Sequence, residues 1–208
     1  MLREGHRLIA GVDEAGRGAW AGPLTAAAVI LPPVAYADPG LFGGVADSKQ
    51  LSPRARERLA RLIHARAAAV GVAHTSPREI DESGIAAAGR LTMHRALGRL
   101  GLDPDHVIVD AFPLDAASRF AGRQTAVIRA DATCLAVAAA SICAKVARDR
   151  LMRQLSRRFP DYAFDRNKGY GTAWHRTALR ALGPIALHRH SFAPVRQAHA
   201  AHSLALAV

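Results

Sequence analysis

The chain is short of cysteine, of aromatics and of long apolar runs, and each shortage excludes something. Two cysteines in 208 residues, Cys134 and Cys143, cannot make a disulfide framework or a four-thiolate zinc site. Both lie in an alanine-rich segment that reads as helix, where buried free thiols are expected. Aromatics are 5% of the residues although half are hydrophobic, so the core is expected to use small and aliphatic side chains. The run "AAAVILPPV" stops at two prolines, short of a membrane span, and "MLREGHRLIAG" has no apolar core of the kind a signal peptide needs. A cytoplasmic protein with no membrane partner is therefore expected. Acid is scarce too: 17 Asp and Glu stand against 28 Lys and Arg, a net charge of +11. A field of that sign favours polyanions, nucleic acid first and anionic membrane second. A solvated arginine-rich surface would give the same count. Ten histidines scattered without ligand spacing argue against zinc.

What is present reads as one α/β domain over 1–208, with 160–208 a small helical C-terminal part. Arg7–Val12 and Leu24–Leu31 are strand candidates that could form a hairpin around a glycine loop. Ser52-Pro53 opens a helix to about Ala69, and Ser76 with Glu79 has capping-box spacing. Val70–His74, "HVIVDAF" and "QTAVIRAD" read as further strands. Ala132–Phe159 reads as one long helix and Thr172–Leu182 as another, while "HRHSFAPVRQAHAAHSLALAV" has no clear pattern. A hairpin followed by strands alternating with helices implies a mixed sheet with helices packed on it.

Four acids fall at the ends of these elements. Asp13 and Glu14 close the first strand, Asp110 closes "HVIVD", and Asp131 follows "TAVIR" just before the long helix. If those strands are neighbours, the acids converge, and converged carboxylates resist ionising together unless a cation lies between them. Mg²⁺ suits such a site, and two ions about 3.5–4 Å apart are a general device for phosphodiester hydrolysis. Each acid also has a plainer reading: Asp131 as a helix N-cap, Asp110 as a turn residue, Glu14 as a solvated side chain.

Other pieces suit a nucleic acid. Gly16-Arg17-Gly18 can bring bare backbone against a ligand, with Arg17 reaching a phosphate. Lys49, in "DSKQLSP", precedes a helix N-terminus. Lys145 and Arg148 share a helix face at i and i+3 and could touch phosphate or face water. Tyr170, between two glycines in "NKGYGT", could stack on a sugar or base, or pack on the next helix.

Together these motifs resemble the bacterial ribonuclease HII family, the type 2 ribonucleases H. The matching pieces are "GVDEAGRGAWAGP", "AAAVIL", "DSKQLS", "EIDESGI", "VIVDA", "ADATCLAVAAASICAKVARDR", "NKGYGT" and "LHRHSFAPV", in the family's order over nearly the whole chain. The resemblance implies a ribonuclease H-like fold and an endoribonuclease that cuts the RNA strand of RNA–DNA hybrids. It also implies incision 5′ of a single ribonucleotide in duplex DNA, leaving 3′-hydroxyl and 5′-phosphate ends, with two Mg²⁺ or Mn²⁺ ions in the substrate complex. It assigns Asp13, Glu14 and Asp110 to the metals and Asp131 as the fourth catalytic carboxylate. Gly16-Arg17-Gly18 would read the ribose 2′-hydroxyl, and Tyr170 would stack at the RNA-to-DNA junction. A monomer is expected. Some positions depart from the family pattern: Ala111-Phe112 stands where Gly-Asn is usual, Ala130 where glycine is usual, and Thr133-Cys134 and Leu24-Thr25 also differ. Two rival readings are a non-catalytic nucleic-acid-binding module and a related metal-dependent nuclease with another substrate.

Overall fold

A computed structural model describes residues 5–38, 40–45 and 51–205. Its strands are β1 (Ile9–Ala15), β2 (Leu24–Ile30), β3 (Ala69–Thr75), β4 (His106–Asp110) and β5 (Gln124–Val127). Among the described residues they form one sheet in the order β3-β2-β1-β4-β5. β1 pairs antiparallel with β2 and parallel with β4, and β4 pairs parallel with β5, so the sheet is mixed, as expected. The helices are α1 (Val34–Ala37), α2 (Pro53–Arg66), α3 (Pro77–Ser83), α4 (Ile85–Gly98), α5 (Ala130–Thr133), α6 (Leu135–Arg158), α7 (Phe164–Asn167), α8 (Ala173–Leu182) and α9 (Ala193–Ala205). No helix among the described residues is long and apolar enough to cross a membrane.

The chain divides into two compact units. The first comprises the described residues of Met1–Ala15, Thr25–His74 and Arg90–Val146. Strand alternation sorts its core onto the two sheet faces. Ala10 and Val12 of β1, Ala26, Ala28 and Ile30 of β2, and Val107 and Val109 of β4 pack with Met93, Ala96 and Leu97 of α4. Ala15, Ala27 and Val29 face the other way, with Leu59, Ala60 and Ile63 of α2 and Ala136, Ala139 and Ala140 of α6. The small residues have a packing reason. A Cβ on Gly11 would sit 2.2 Å from the Ala136 carbonyl carbon, so α6 lies almost on the backbone of β1. That close approach is where the alanine richness and the shortage of aromatics go.

The second unit comprises Gly16–Leu24, Thr75–Gly89 and Ala147–Val208, as far as they are described. Ser76 caps α3 with the expected reciprocal box, and Thr172 caps α8 by accepting from the His175 amide. Asp81 of α3 accepts from the His190 and Ser191 amides, each at 2.8 Å, and so fixes the chain entering α9. The tail without a clear pattern is helical over Ala193–Ala205.

Several boundaries differ from expectation, among them β5, which stops at Val127 rather than running on through "IRAD" toward Asp131. β1 runs to Ala15, so Asp13 and Glu14 lie inside the strand rather than closing it. The ladder continues through Glu14↔Ala26 to Ala15↔Thr25, and backbone pairing overrides side-chain polarity there. The long helix is broken: Cys134 is extended (φ −122°, ψ 116°) and separates the short α5 from α6. Asp131 is not an N-cap. It sits in the first turn of α5, behind Arg129 in a left-handed conformation.

Candidate active site

Three carboxylates meet in the first unit. Asp13, Asp110 and Asp131 each offer an oxygen within 4.8 Å of the others. Parity along the strand explains which acids meet. Asp13 shares the β1 face of Gly11 and Ala15, which looks toward α6, whereas Glu14 shares the face of Ala10 and Val12, which looks toward α4. On β4, Val107 and Val109 take the α4 side, so Asp110 falls on the side of Asp13. Glu14 stands outside the trio but near enough for its charge to act on Asp13.

Asp13 is 6% exposed, and burial pushes its carboxyl up to about 7, with the Glu14 and Asp110 charges adding to the rise. Hydrogen bonds from the Ser141 side chain and the Glu14 amide (2.7 Å) oppose that rise. Asp110 Oδ1 accepts from the Ala130 amide at 2.8 Å, which ties the end of β4 to the start of α5 and so to Asp131. Ser141 was not singled out in the sequence. The available signal was one hydroxyl inside "AVAAASICA", an otherwise apolar helical stretch. Lys145, one turn on, shares its helix face and is half-buried. Three hard oxygen donors, whose burial and mutual repulsion raise the Asp13 carboxyl when no cation lies between them, fit a divalent cation of the Mg²⁺ or Mn²⁺ type.

The second unit holds the remaining candidates apart from Lys49, which lies outside the described residues. Gly16 has φ +95°, and a Cβ there would lie 2.0 Å from Arg148 Nε, so only glycine fits. Gly18 is exposed and a Cβ on it would meet nothing within 4 Å, so the fold leaves that face open. Tyr170 is half-buried, its ring 5.3 Å from the Arg148 guanidinium carbon.

Arg148 differs from its sequence reading as a phosphate contact. It is fully buried, and its guanidinium donates to the carbonyls of Pro23 (2.9 Å), Lys168 (2.9 Å) and Ala21 (3.1 Å). Arg189, also fully buried, donates to the carbonyls of Arg17 (2.9 Å) and Gly22 (3.1 and 3.2 Å). Desolvation pulls both guanidinium groups below the usual arginine range, and the Arg148 charge depresses Arg189 further. Turning loop carbonyls onto buried cations satisfies both partners away from water.

A histidine pair supports the same unit. The Ile185 amide donates to His188 Nδ1 (3.0 Å), and that fixed proton makes Nδ1 the acceptor. His188 Nε2–H then donates to His175 Nε2 (3.1 Å), and His175 Nδ1–H to the Tyr170 carbonyl (3.0 Å). This tautomer makes these three bonds and leaves out the longer 3.3 Å contact between His188 Nδ1 and the Ile185 carbonyl, and both rings are neutral. Burial lowers both, and the neighbouring His175 helps take His188 to about 3.

A mixed sheet with acids converging at its strands, and a helical remainder, defines a ribonuclease H-type α/β nuclease. The ribonuclease H2 structure from Pyrococcus horikoshii OT3 superposes with a TM-score of 0.79 at 28% identity, over 94% of this chain and 99% of that one. Ribonuclease HII of Chloroflexus aurantiacus is 50% identical over 198 residues, covering 95% of this chain and 92% of its own. Ribonuclease HII of Moorella thermoacetica is 50% identical over 193 residues, covering 92% and 89%. The family model described as Ribonuclease HII matches residues 10–195, and the chain belongs to that family. It is accordingly a ribonuclease H enzyme, a divalent-metal-dependent endoribonuclease acting on RNA–DNA hybrids.

Proposed function

We propose that the enzyme also incises duplex DNA on the 5′ side of a single embedded ribonucleotide, leaving 3′-hydroxyl and 5′-phosphate ends. The observation that carries the mechanism is the carboxylate trio within 4.8 Å. Asp13, Glu14 and Asp110 would hold Mg²⁺ or Mn²⁺, Glu14 by turning its side chain from the other face of β1 toward the trio, with Asp131 as the fourth carboxylate. Two bound ions would supply Lewis acidity at the phosphate and a lowered pKa for the attacking water. The chain's own residues do the rest. Ser141 and the Glu14 amide orient the Asp13 oxygens. The Ala130 amide fixes Asp110. Lys145, and Lys49 by sequence position, attract phosphate.

Substrate choice belongs to the second unit. The backbone of Gly16-Arg17-Gly18 meets the ribose 2′-hydroxyl, the group that separates RNA from DNA at one nucleotide. The open face at Gly18 supports this reading. Tyr170 stacks beside the junction. The enzyme works as a monomer in the cytoplasm.

The test compares three duplexes with Mg²⁺ or Mn²⁺: one with a single ribonucleotide, a continuous hybrid, and an all-DNA control. Cutting of the first two, and of the first only 5′ to the ribonucleotide, is expected. Cutting of the DNA control would favour a nuclease of another specificity. Salt-sensitive binding without any cutting would favour a non-catalytic module.

A further inference from the structure

Arg148 touches both segments to which substrate choice is assigned. Its Nε and Nη2 take the Pro23 and Ala21 carbonyls on the glycine-loop side, and its Nη1 takes the Lys168 carbonyl, two residues before Tyr170. Its guanidinium carbon lies 5.3 Å from the Tyr170 ring. Next to it the backbone makes the same connection, since the Trp20 and Ala21 amides both donate to the Gly169 carbonyl, at 2.8 and 3.2 Å. Gly16 packs against the same side chain so tightly that no Cβ fits. A planar fork with fixed donor directions sets distances between its acceptors in a way that a lysine point charge does not.

We infer that Arg148 is a positioning residue that fixes the spacing between the Gly16-Arg17-Gly18 loop and Tyr170, and through that spacing the preference for a single embedded ribonucleotide. The inference rests on the reading that the loop meets the 2′-hydroxyl while Tyr170 stacks at the neighbouring step. A lone ribonucleotide offers one register in which both contacts are made together. A continuous hybrid offers a 2′-hydroxyl at every step, so an enzyme whose two readers have drifted still finds a workable register. Misplacement on the scale of an ångström can cost about a hundredfold in rate. That loss falls on the substrate with one register.

The experiment uses the full chain with Mg²⁺, and Arg148→Lys and Arg148→Gln alone and each combined with Tyr170→Ala. Steady-state kinetics are measured on the single-ribonucleotide duplex and on the continuous hybrid, with thermal unfolding recorded for every variant. For folded Arg148→Lys we expect kcat on the single-ribonucleotide duplex to fall by about ten- to a hundredfold. On the hybrid it falls less than about threefold, and KM is little changed on both, as for a group that places the substrate rather than holds it. Combined with Tyr170→Ala, it loses little more than the worse single variant, because both act through one spacing. Parallel loss on the two substrates, losses that simply multiply, or failure of both Arg148 variants to fold would each overturn the inference. If Tyr170→Ala itself affects both substrates equally, it is the reading of Tyr170 that fails. That outcome is distinct from a selective Tyr170→Ala with an unselective Arg148→Lys.

Discussion

The two units place their functional groups by opposite means. In the first, regular structure does it: strand parity, the β4 end and the start of α5 bring Asp13, Asp110 and Asp131 within 4.8 Å. In the second, loops do it, held by buried cations and imidazoles on backbone carbonyls, with Arg148, Arg189 and His175 spending their donors on the chain itself. The first unit gathers like charge, and in the proposed mechanism a cation from outside offsets it. The second buries its own cations and keeps the His175–His188 pair neutral. The two should therefore respond to pH with opposite sign.

The largest contrast is at Asp13. Its folded-state pKa, about 7, lies above the ordinary 3.8, so the folded chain holds a proton there that the unfolded chain releases. The stabilisation is complete below about pH 4 and is lost as pH rises toward 7, when no metal is present. Asp13→Asn removes that loss and also removes one of the carboxylates proposed to hold the metal. With chelator at pH 8, urea unfolding should show the variant more stable, by roughly 2–4 kcal/mol at the upper end of what such a shift allows. With Mg²⁺, its cleavage should fall on the order of 10³-fold. Near-normal turnover would end the carboxylate–metal mechanism, and unchanged stability with chelator would show that Asp13 carries no stored charge.

The opposite sign belongs to His188. Its pKa, lowered to about 3, means that the folded chain binds fewer protons than the unfolded chain between about pH 3 and 6.5. The associated stability is present above 6.5 and is lost as pH falls through that window. Protonating His175 would also set two N–H groups head to head across 3.1 Å. Both tryptophans, Trp20 and Trp174, lie in the second unit, so indole fluorescence reports on that unit. Between pH 6.5 and 4 the tryptophan-detected stability should drop by about 3 kcal/mol, and His188→Gln should flatten the slope. Equal slopes in the two proteins would refute this account of the imidazole pair.

This contrast also explains what the sequence made legible. The sheet, the capping boxes and the acids follow from period and punctuation, which are local properties of the chain. Even there parity decided something the motif did not: Asp13 and Glu14 are adjacent, yet they point to opposite faces of β1. The second unit was far less readable. "KVARD" presents Arg148 as a helix-face cation, and nothing local says that its partners are carbonyls some 20 and 125 residues away. Its burial became visible only from the tertiary contacts. The histidine pair was missed for the same reason, since His175 and His188 meet through a turn and not through a ligand spacing. Ser141 lay between these cases, a single polar group in an apolar helix.

The smallest effect concerns the departure from family pattern after Asp110. Ala111 adopts φ +61°, a left-handed conformation that costs a non-glycine residue roughly 1–2 kcal/mol, at a position where the family resemblance leads one to expect glycine. Its amide is held by the Val127 carbonyl at 3.0 Å, so the conformation is fixed by the β4–β5 pairing and cannot relax. Ala111→Gly should relieve that strain, while the added freedom of the unfolded chain takes back part of the gain. The net expectation is a stabilisation of about 0.5–1 kcal/mol, a rise of roughly 1–4 °C in Tm. The second unit supplies the reverse case. Gly16, at φ +95°, already has glycine and faces Arg148 at a distance no Cβ tolerates, so Gly16→Ala meets both strain and collision. It should destabilise by more than Ala111→Gly stabilises. A Tm for Ala111→Gly at or below that of the parent would mean that the alanine methyl makes a contact worth more than the strain it imposes.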